Sequence, residues 1–162
     1  VGVSEAALYR HFPSKARIYE GLIDFIEDTL FSRISTIVKD ANSTKERCRM
    51  IITLLLSFSE KNPGLSRILS GDALTGETDR LHTRINQLFT RIETQIKQVL
   101  REGELRENCR THMVASATAE LLLVIAEGKI RQYVRSNFTN MPTNHWQEQW
   151  PALEKAIYQS AA

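Results

Sequence analysis

The chain has 162 residues, of which 42% are apolar, with a formal net charge of +2 and two cysteines. This length allows one well-buried core with at most a small appendage, and the near-neutral charge excludes a nucleic-acid binder that relies on overall basicity. Two cysteines suit free thiols in a reducing compartment, and no apolar run approaches the roughly 20 residues needed to cross a bilayer. We therefore expect a cytoplasmic protein that does not enter the membrane.

The first fifteen residues, VGVSEAALYRHFPSK, predict a turn followed by a short helix. Gly2 is free to adopt a positive φ, Ser4 is a typical helix cap, and Pro13 ends the helix before Ser14 caps the next one. A turn that leads into a short helix with small residues at its start is typical of the second half of a helix-turn-helix. Because the first residue is valine, we expect this chain to be a truncated or cleaved version of a longer protein.

Helical spacing of apolar residues predicts the remaining elements, and no alternating strand pattern occurs. Ser43 and Glu46 form a capping box for one helix, Thr143 is expected to cap the last helix, and Pro151 is expected to kink it. The predicted order is a helix over residues 15–39, a second from residue 43 to a break at 62–64, a short helix over 65–69, a loop over 71–76, a helix over 80–101, a polar loop over 103–109, a helix over 111–138 and a final helix after 143.

The segment SEAALYRHFPSK resembles the helix-turn-helix of the TetR family of transcriptional regulators, including the Leu8-Tyr9 pair, Phe12 and Lys15. Three later segments, SEKNPGLSRILSG, DRLHTRINQLFTRIETQIKQVLRE and RQYVRSNF, are similar to the nucleoid occlusion factors of that family. The resemblance implies an all-α, TetR-like fold that dimerises through its last two long helices. In this division residues 1–13 are the remnant of the helix-turn-helix, residues 14–41 a connecting helix, and residues 42–162 a dimerisation and partner-binding domain.

The resemblance further implies a homodimer that binds palindromic chromosomal DNA sites and then blocks assembly of the division protein FtsZ over the nucleoid. Such a factor is expected in the cytoplasm, associated with the nucleoid, and needs no cofactor or small-molecule ligand. The alternative is a TetR-type repressor that a ligand releases from DNA, which requires an apolar cavity of roughly 300 Å³ or more. The apolar residues of the predicted long helices indicate a filled interior instead.

Candidate DNA contacts lie in the first fifteen residues. A serine at a helix N-terminus is placed where backbone N–H groups attract phosphate, and two alanines in the same turn are small enough to approach thymine methyls. The resemblance implies phosphate contacts for a tyrosine, a histidine and a lysine, which would set affinity and register. The alternatives are helix filler for the alanines, packing on other helices for the tyrosine, and solvation for the lysine. The candidates are Ser4, Ala6, Ala7, Tyr9, His11 and Lys15.

The resemblance also implies that the tail peptide of FtsZ binds between the connecting helix and the helix after it. The matching residues offer apolar surface, cations for carboxylates and one amide for the peptide backbone. The chain departs from the family at Ser57, where glycine is typical, and at Lys61, where an arginine would add a bidentate fork. Periodicity alone favours core positions for Phe25 and Leu54 and a solvated Arg33. The matching set is Phe25, Arg33, Leu54, Lys61 and Asn62.

The last two long helices carry the expected dimer contact. Small side chains there allow close approach of helices, and two tryptophans spaced one turn apart could bury against a partner subunit. The alternative is that these residues complete the core of one subunit. The expected contacts are Ala115, Ala117, Ala119, Leu122, Val124, Ile125, Trp146 and Trp150.

No catalytic residue or metal site is expected. Cys109 and His112 form a single C-x-x-H without a second pair, and the sequence has no glycine-rich phosphate loop and no G-x-S-x-G motif. Glu120 and Glu127 share a helix face, where caps, ion pairs or dimer contacts are more typical than catalysis. The sequence therefore favours a binding protein over an enzyme.

Overall fold

The computed structural model describes residues 14–161, and every regular element in that range is helical. The predicted all-α class is confirmed. A 3-10 turn, Asp72–Leu74, lies within the predicted loop over residues 71–76, and one isolated β-bridge joins Thr111 to Tyr158. The α-helices of this range are α1 (Lys15–Asp40), α2 (Thr44–Lys61), α3 (Pro63–Leu69), α4 (Asp79–Glu107), α5 (Ala115–Arg135) and α6 (Trp146–Ile157).

Helix α1 is the long connecting helix that the sequence predicts. Its 26 residues span about 39 Å at 1.5 Å per residue. The Ser14 hydroxyl caps the helix by accepting a hydrogen bond from the Arg17 N–H at 3.3 Å. One side of α1 is buried and the other faces solvent, as expected for apolar residues spaced three or four apart. The buried residues are Ile23, Ile26, Leu30, Ile34 and Ile37.

Ion pairs fasten the first half of α1 to α4. The Arg84 guanidinium lies 2.7 Å from Asp24 Oδ1 and 3.1 Å from Glu27 Oε2. One turn earlier on α4, Arg80 lies 3.3 Å from Glu20 Oε1. Because the Arg84 side chain is only 22% exposed, its ion pairs are less screened by solvent than most surface pairs. Helix α4 therefore fixes the acidic flank of α1.

Both ends of α2 agree with the predicted boundaries. Ser43 caps the first turn by accepting a hydrogen bond from the Glu46 N–H at 3.2 Å. The Glu46 carboxylate pairs with Arg49, so half of the predicted capping box is formed. Asn62 separates α2 from α3, which starts at Pro63, where a missing N–H costs no helical hydrogen bond.

Helix α2 lies in the interior, in contact with α1, α4 and α5. The indole N–H of Trp146 donates to Thr53 Oγ1 at 3.0 Å, and the Tyr133 hydroxyl donates to the Glu60 carbonyl at 3.0 Å. The indole N–H of Trp146 and the hydroxyl of Tyr133 are thus hydrogen-bonded where they leave water. These two bonds hold α6 and α5 at fixed positions along α2.

The start of α2 crosses the end of α4 at Gly103. A Cβ atom at this glycine would lie 2.2 Å from Thr44 Oγ1, so the two helices approach this closely only because residue 103 lacks a side chain. One turn later, Glu107 accepts hydrogen bonds at 3.0 Å from both the Thr44 N–H and the Arg47 guanidinium. The Thr44 N–H in particular holds the pKa of Glu107 below its usual value.

The predicted polar loop over residues 103–109 is wrong, because α4 continues to Glu107. Residues 104–107 are exposed, and polar residues are as typical of a solvent-facing helical turn as of a loop. The helix ends at Asn108, whose φ of 53° is the left-handed conformation common after helices. The next helix is shorter than the predicted 111–138, since Thr111 pairs in the β-bridge and α5 begins only at Ala115.

The predicted cap of the last helix is also wrong. The Thr143 hydroxyl donates to the Glu60 carboxylate, and α6 begins three residues after it, at Trp146. The residue before α6 is His145, with a φ of 61° and no side-chain hydrogen bond to the helix. Pro151 lies within α6, and the kink expected there stays a prediction.

The two cysteines are expected to differ in reactivity. Burial raises the pKa of the Cys48 thiol to about 11, and burial also raises the pKa of Cys109, which is only partly buried. Because the thiolate is the reactive form, iodoacetamide at pH 8 should modify Cys109 before Cys48. Mass spectrometry of the peptides over time measures both rates, and equal rates in the folded protein would contradict this expectation.

The Cys48 thiol also predicts a loss of stability in alkali. The folded state holds this proton more tightly than the unfolded state, whose thiol titrates near 9.0. The contribution of Cys48 to the free energy of unfolding is therefore complete below pH 9 and declines as the pH rises toward 11. Denaturant unfolding of the wild type and of Cys48→Ala across this range measures the difference.

Candidate partner-binding groove and dimer face

Most of the predicted DNA contacts lie outside the described residues. Lys15 is the exception: it begins α1, and its Nζ atom lies 3.2 Å from Glu77 Oε1 and 5.7 Å from the centre of the Tyr19 ring. The hydrogen bond to Glu77 raises the pKa of Lys15, so the side chain stays cationic. Lys15 is also exposed, beside the start of the helix. The predicted residues outside the described range are Ser4, Ala6, Ala7, Tyr9 and His11.

Helix α1 has two distinct flanks, one ion-paired to α4 and one that is not. Successive helical residues are rotated by about 100°, so Glu20, Asp24 and Glu27 share the flank that is ion-paired to α4. Phe25 and Arg33 lie on the other flank. The predicted core position of Phe25 is wrong, since this residue is 53% exposed. The buried positions of α1 lie about 140° around the helix from it.

Helices α1 and α2 run antiparallel. A three-residue link joins them, and Arg47 near the start of α2 donates to the carbonyls of Val38 and Ala41 near the end of α1. At this end the two helices enclose a shallow depression of about 390 Å³, whose lining includes Thr36 and Met50. The depression marks the side of the helix pair that is open to solvent.

Counted from the link, four of the predicted partner contacts stand at matching heights along α1 and α2. Since both helices rise equally per residue, Leu54 lies level with Arg33, and Lys61 lies level with Phe25. Arg33 and Lys61 are exposed, and Leu54 is half-buried against the core. These four residues define the α1–α2 groove, with apolar surface at Phe25 and Leu54 and a cation beside each.

Asn62, the fifth predicted contact, stands at the end of this groove with its amide already engaged. Its Nδ2 donates to the Phe58 carbonyl at 2.8 Å, and its own carbonyl accepts a hydrogen bond from the Ser66 N–H at 2.9 Å. The side chain therefore shapes the junction of α2 and α3. Its side-chain oxygen and the second N–H of its amide are left to meet a partner.

Glu60 is a residue that the sequence does not single out. Its carboxylate accepts hydrogen bonds from the Thr143 N–H at 3.3 Å and from the Thr143 hydroxyl, and its carbonyl accepts the Tyr133 hydroxyl. These contacts fix the end of α2 that carries Lys61. No local pattern indicates them, because the partners lie 83 and 73 residues away in the chain.

The exposed side of α5 is the candidate dimer face. Val124 is 51% exposed and Leu121 is 40% exposed, which is unusual for apolar residues in the middle of a long helix. Ala117 and Gly128 lie one turn before and one turn after them on the same side. These four residues define the α5 face, where small side chains would let a second helix approach closely.

The other residues predicted for the dimer contact pack within one subunit. Trp146 and Trp150 are 6% and 5% exposed, and their rings are 5.6 Å apart. Ala119 and Leu122 are fully buried. The expectation that both tryptophans face a partner is therefore wrong, because α2 already covers them from inside the same chain, as the Trp146 bond to Thr53 shows.

The described residues hold little that suggests a small-molecule site. Their buried apolar side chains form one continuous cluster. A depression of about 700 Å³ between α2 and the start of α6 is open to solvent and lined partly by Arg49, Thr53 and Trp146. Among residues 14–161, no group of three or more His, Cys, Asp or Glu is placed to hold a metal ion. No helix of that range is both long and apolar enough to span a bilayer.

Comparison with known proteins agrees with this architecture. A family model of the SlmA-like type, described as a tetracyclin repressor-like C-terminal domain, matches residues 42–158. The chain is 56% identical to the nucleoid occlusion factor SlmA of Shewanella amazonensis over 160 residues, which cover 99% of this chain and 81% of that protein. It is 54% identical to the SlmA of Shewanella loihica, with the same coverage.

Two solved structures share the fold at low identity. The MbdR regulator from Azoarcus sp. CIB has a TM-score of 0.77 at 15% identity, covering 93% of this chain and 81% of that one. The transcriptional regulator FadR from Bacillus subtilis, in complex with stearoyl-CoA, has a TM-score of 0.70 at 14% identity, covering 96% and 83%. The all-helical fold, the matching family model and the identity to curated relatives together show that the chain belongs to the SlmA family of nucleoid occlusion factors, within the TetR-like regulators.

Proposed function

We propose that this chain acts in a DNA-binding nucleoid occlusion factor that blocks assembly of FtsZ over the chromosome. The observation that carries the proposal is the α1–α2 groove, where Phe25 is exposed although α1 buries most of its other large apolar residues. An aromatic side chain in that position gains free energy when a partner covers it. The relatives named nucleoid occlusion factors support this assignment.

In this proposal the groove binds the C-terminal tail of FtsZ. Apolar side chains of the tail pack on Phe25 and Leu54, while Arg33 and Lys61 receive its carboxylates. Asn62 offers its side-chain oxygen to a peptide N–H, since its amide nitrogen is bonded to Phe58. Ser57 is half-buried between these positions on α2 and narrows the space available to the peptide.

The proposed DNA contacts belong to the intact helix-turn-helix. Residues 1–13 are assigned to that head, residues 14–41 to the connecting helix and residues 42–162 to the dimerisation and partner-binding domain. The head binds palindromic sites, because two subunits related by a two-fold axis present two heads. These sites lie in the nucleoid, so the protein acts in the cytoplasm. The residues proposed to contact DNA are Ser4, Ala6, Ala7, Tyr9, His11 and Lys15.

Two subunits are proposed to pair through the α5 face. An apolar stripe with Ala117 and Gly128 at its two ends suits the close contact of one helix with its copy. A dimer would cover Leu121 and Val124. The proposal accounts for their exposure in a single subunit.

Titration of a fluorescent FtsZ tail peptide against the chain tests the groove. We expect saturable binding by the wild type and a loss of about tenfold in Arg33→Ala, because the carboxylate that Arg33 receives is then left without a partner. Arg106→Ala, which removes an exposed arginine from the last turn of α4, is the matched control and should bind as the wild type does. An absence of binding by the wild type would contradict the proposal.

The alternative of a ligand-released repressor finds less support. Its ligand would need an enclosed apolar chamber, and the interior of the described residues is occupied by the continuous cluster of α1 to α6. The likeness to a regulator solved with stearoyl-CoA concerns the fold alone, at 14% identity.

A further inference from the structure

The two ends of the α1–α2 groove differ in charge. Where α1 ends and α2 begins, the shallow depression is lined by Asp40 and Glu46, but Glu46 is paired with Arg49 and the Arg47 guanidinium lies beside the end of α1. At the other end Lys61 leads into α3, which packs against both α1 and α2 and carries Arg67. Arg67 and Arg135 line a further shallow depression of about 400 Å³. The first end thus carries charges of both signs, whereas the end at Lys61 is basic.

The groove is too short to hold a whole peptide. Phe25 and Arg33 are eight residues apart on α1, which corresponds to about 12 Å along the helix axis. An extended peptide covers this distance with about four residues. A longer peptide must therefore leave the groove either at the end near Asp40 or at the end near Lys61.

The exposed side of α3 offers an unobstructed surface that leads away from Lys61. Pro63, Gly64 and Arg67 are exposed and lie within one turn of each other. Gly64 has no side chain, and a Cβ atom built there would meet nothing within 4 Å. An extended chain leaving Lys61 can therefore lie against α3 until it reaches Arg67.

Arg67 keeps donors available for an incoming carboxylate. Its Nε atom lies 2.8 Å from Asp72 Oδ2, and both side chains are about half exposed, at 52% and 50%. A guanidinium has five N–H donors, so one contact leaves others free. Arg135, also exposed, lines the same depression from α5. Asp72 is the only acidic residue in the lining of this depression, and it competes with an incoming carboxylate.

We infer that Arg67 and Arg135 form a basic subsite that receives acidic residues flanking the peptide in the α1–α2 groove. The subsite favours one direction of the bound peptide, because only one end of the groove leads to it. This inference rests on the proposed function, because it takes the groove as the place where the FtsZ tail is anchored.

The test uses the FtsZ tail peptide in two extended forms, with two aspartates added at either its amino end or its carboxyl end. For the wild type we expect one addition to strengthen binding about three- to fivefold, as exposed ion pairs do, and the other to leave it nearly unchanged. Arg67→Ala, combined with Arg135→Ala, should remove the gain. Asp72→Asn should enlarge it, because a competing carboxylate is gone. The gain should vanish in 1 M NaCl.

The outcomes separate this inference from the proposed function. If the wild type binds none of the peptides, the proposed function fails and the inference with it. If the wild type binds the unmodified peptide but does not distinguish the two extended forms, the inference alone is overturned. The same holds if the preference survives in the double arginine variant. Arg106→Ala serves again as the control for the loss of one surface charge.

Discussion

Replacing Phe25 with alanine is expected to weaken binding of the FtsZ tail peptide at least about tenfold, a size typical of an aromatic side chain at the centre of an interface. The same change should alter the free energy of unfolding by no more than about 0.5 kcal/mol, because Phe25 is 53% exposed and α1 holds its place through other residues. Fluorescence anisotropy measures the first quantity and urea unfolding the second.

The matched control is Leu105→Ala, which removes an exposed apolar side chain from α4, where Leu105 is 85% exposed. This variant should bind the peptide as tightly as the wild type. A Phe25→Ala variant that binds normally would show that the groove does not carry the contact. A variant that unfolds much more easily would show instead that Phe25 is a core residue.

Gly103→Ala is expected to lower the free energy of unfolding by about 1–3 kcal/mol or more, the usual cost of overpacking a core. The added Cβ atom would lie 2.2 Å from Thr44 Oγ1 and 2.6 Å from Thr44 Cγ2. Thr44 is buried and begins α2, so its short branched side chain cannot move aside without shifting a helix. Urea unfolding at a fixed protein concentration, followed by circular dichroism, measures this loss.

Gly21→Ala is the control for the change of residue type. Gly21 also lies inside a helix, but a Cβ atom there would meet nothing within 4 Å, so alanine should stabilise the protein by up to about 1 kcal/mol. A second variant, Gly103→Ala with Thr44→Ala, should recover part of the loss, because the two closest atoms, Thr44 Oγ1 and Cγ2, are gone while Thr44 Cβ stays 2.8 Å from the added Cβ. If it recovers none, or if Gly103→Ala is as stable as Gly21→Ala, the close crossing of α2 and α4 is not what residue 103 serves.

The order of the helices could be predicted from the sequence, whereas the direction of individual side chains could not. Apolar residues along α1 recur at helical spacing, and this predicts the element well. The same spacing includes Phe25, which it places in the core. Which side of α1 is buried depends on the positions of α2 and α4, and these come from contacts such as Arg84 with Asp24, 60 residues apart.

Composition led to wrong predictions for two segments, the last turn of α4 and the start of α6. Three of the four residues of α4 beyond Gly103 are charged because this turn faces solvent, and a window of sequence does not distinguish it from a loop. Trp146 and Trp150 looked available to a second subunit, but a polar contact with Thr53, 93 residues earlier, draws the first of them inward. The proposed groove rests on the family motifs, and periodicity alone does not indicate it.

The fastening of α1 has a mechanical consequence. Its acidic flank is tied to α4 through Arg80 and Arg84, while Phe25 stands on the other flank, ten residues from Lys15. A helix that is held along one flank tilts about that flank. Under the proposed function, a tilt that DNA imposes on the first turn of α1 would therefore change the distance between Phe25 and Lys61, so that DNA binding would alter the affinity for the peptide.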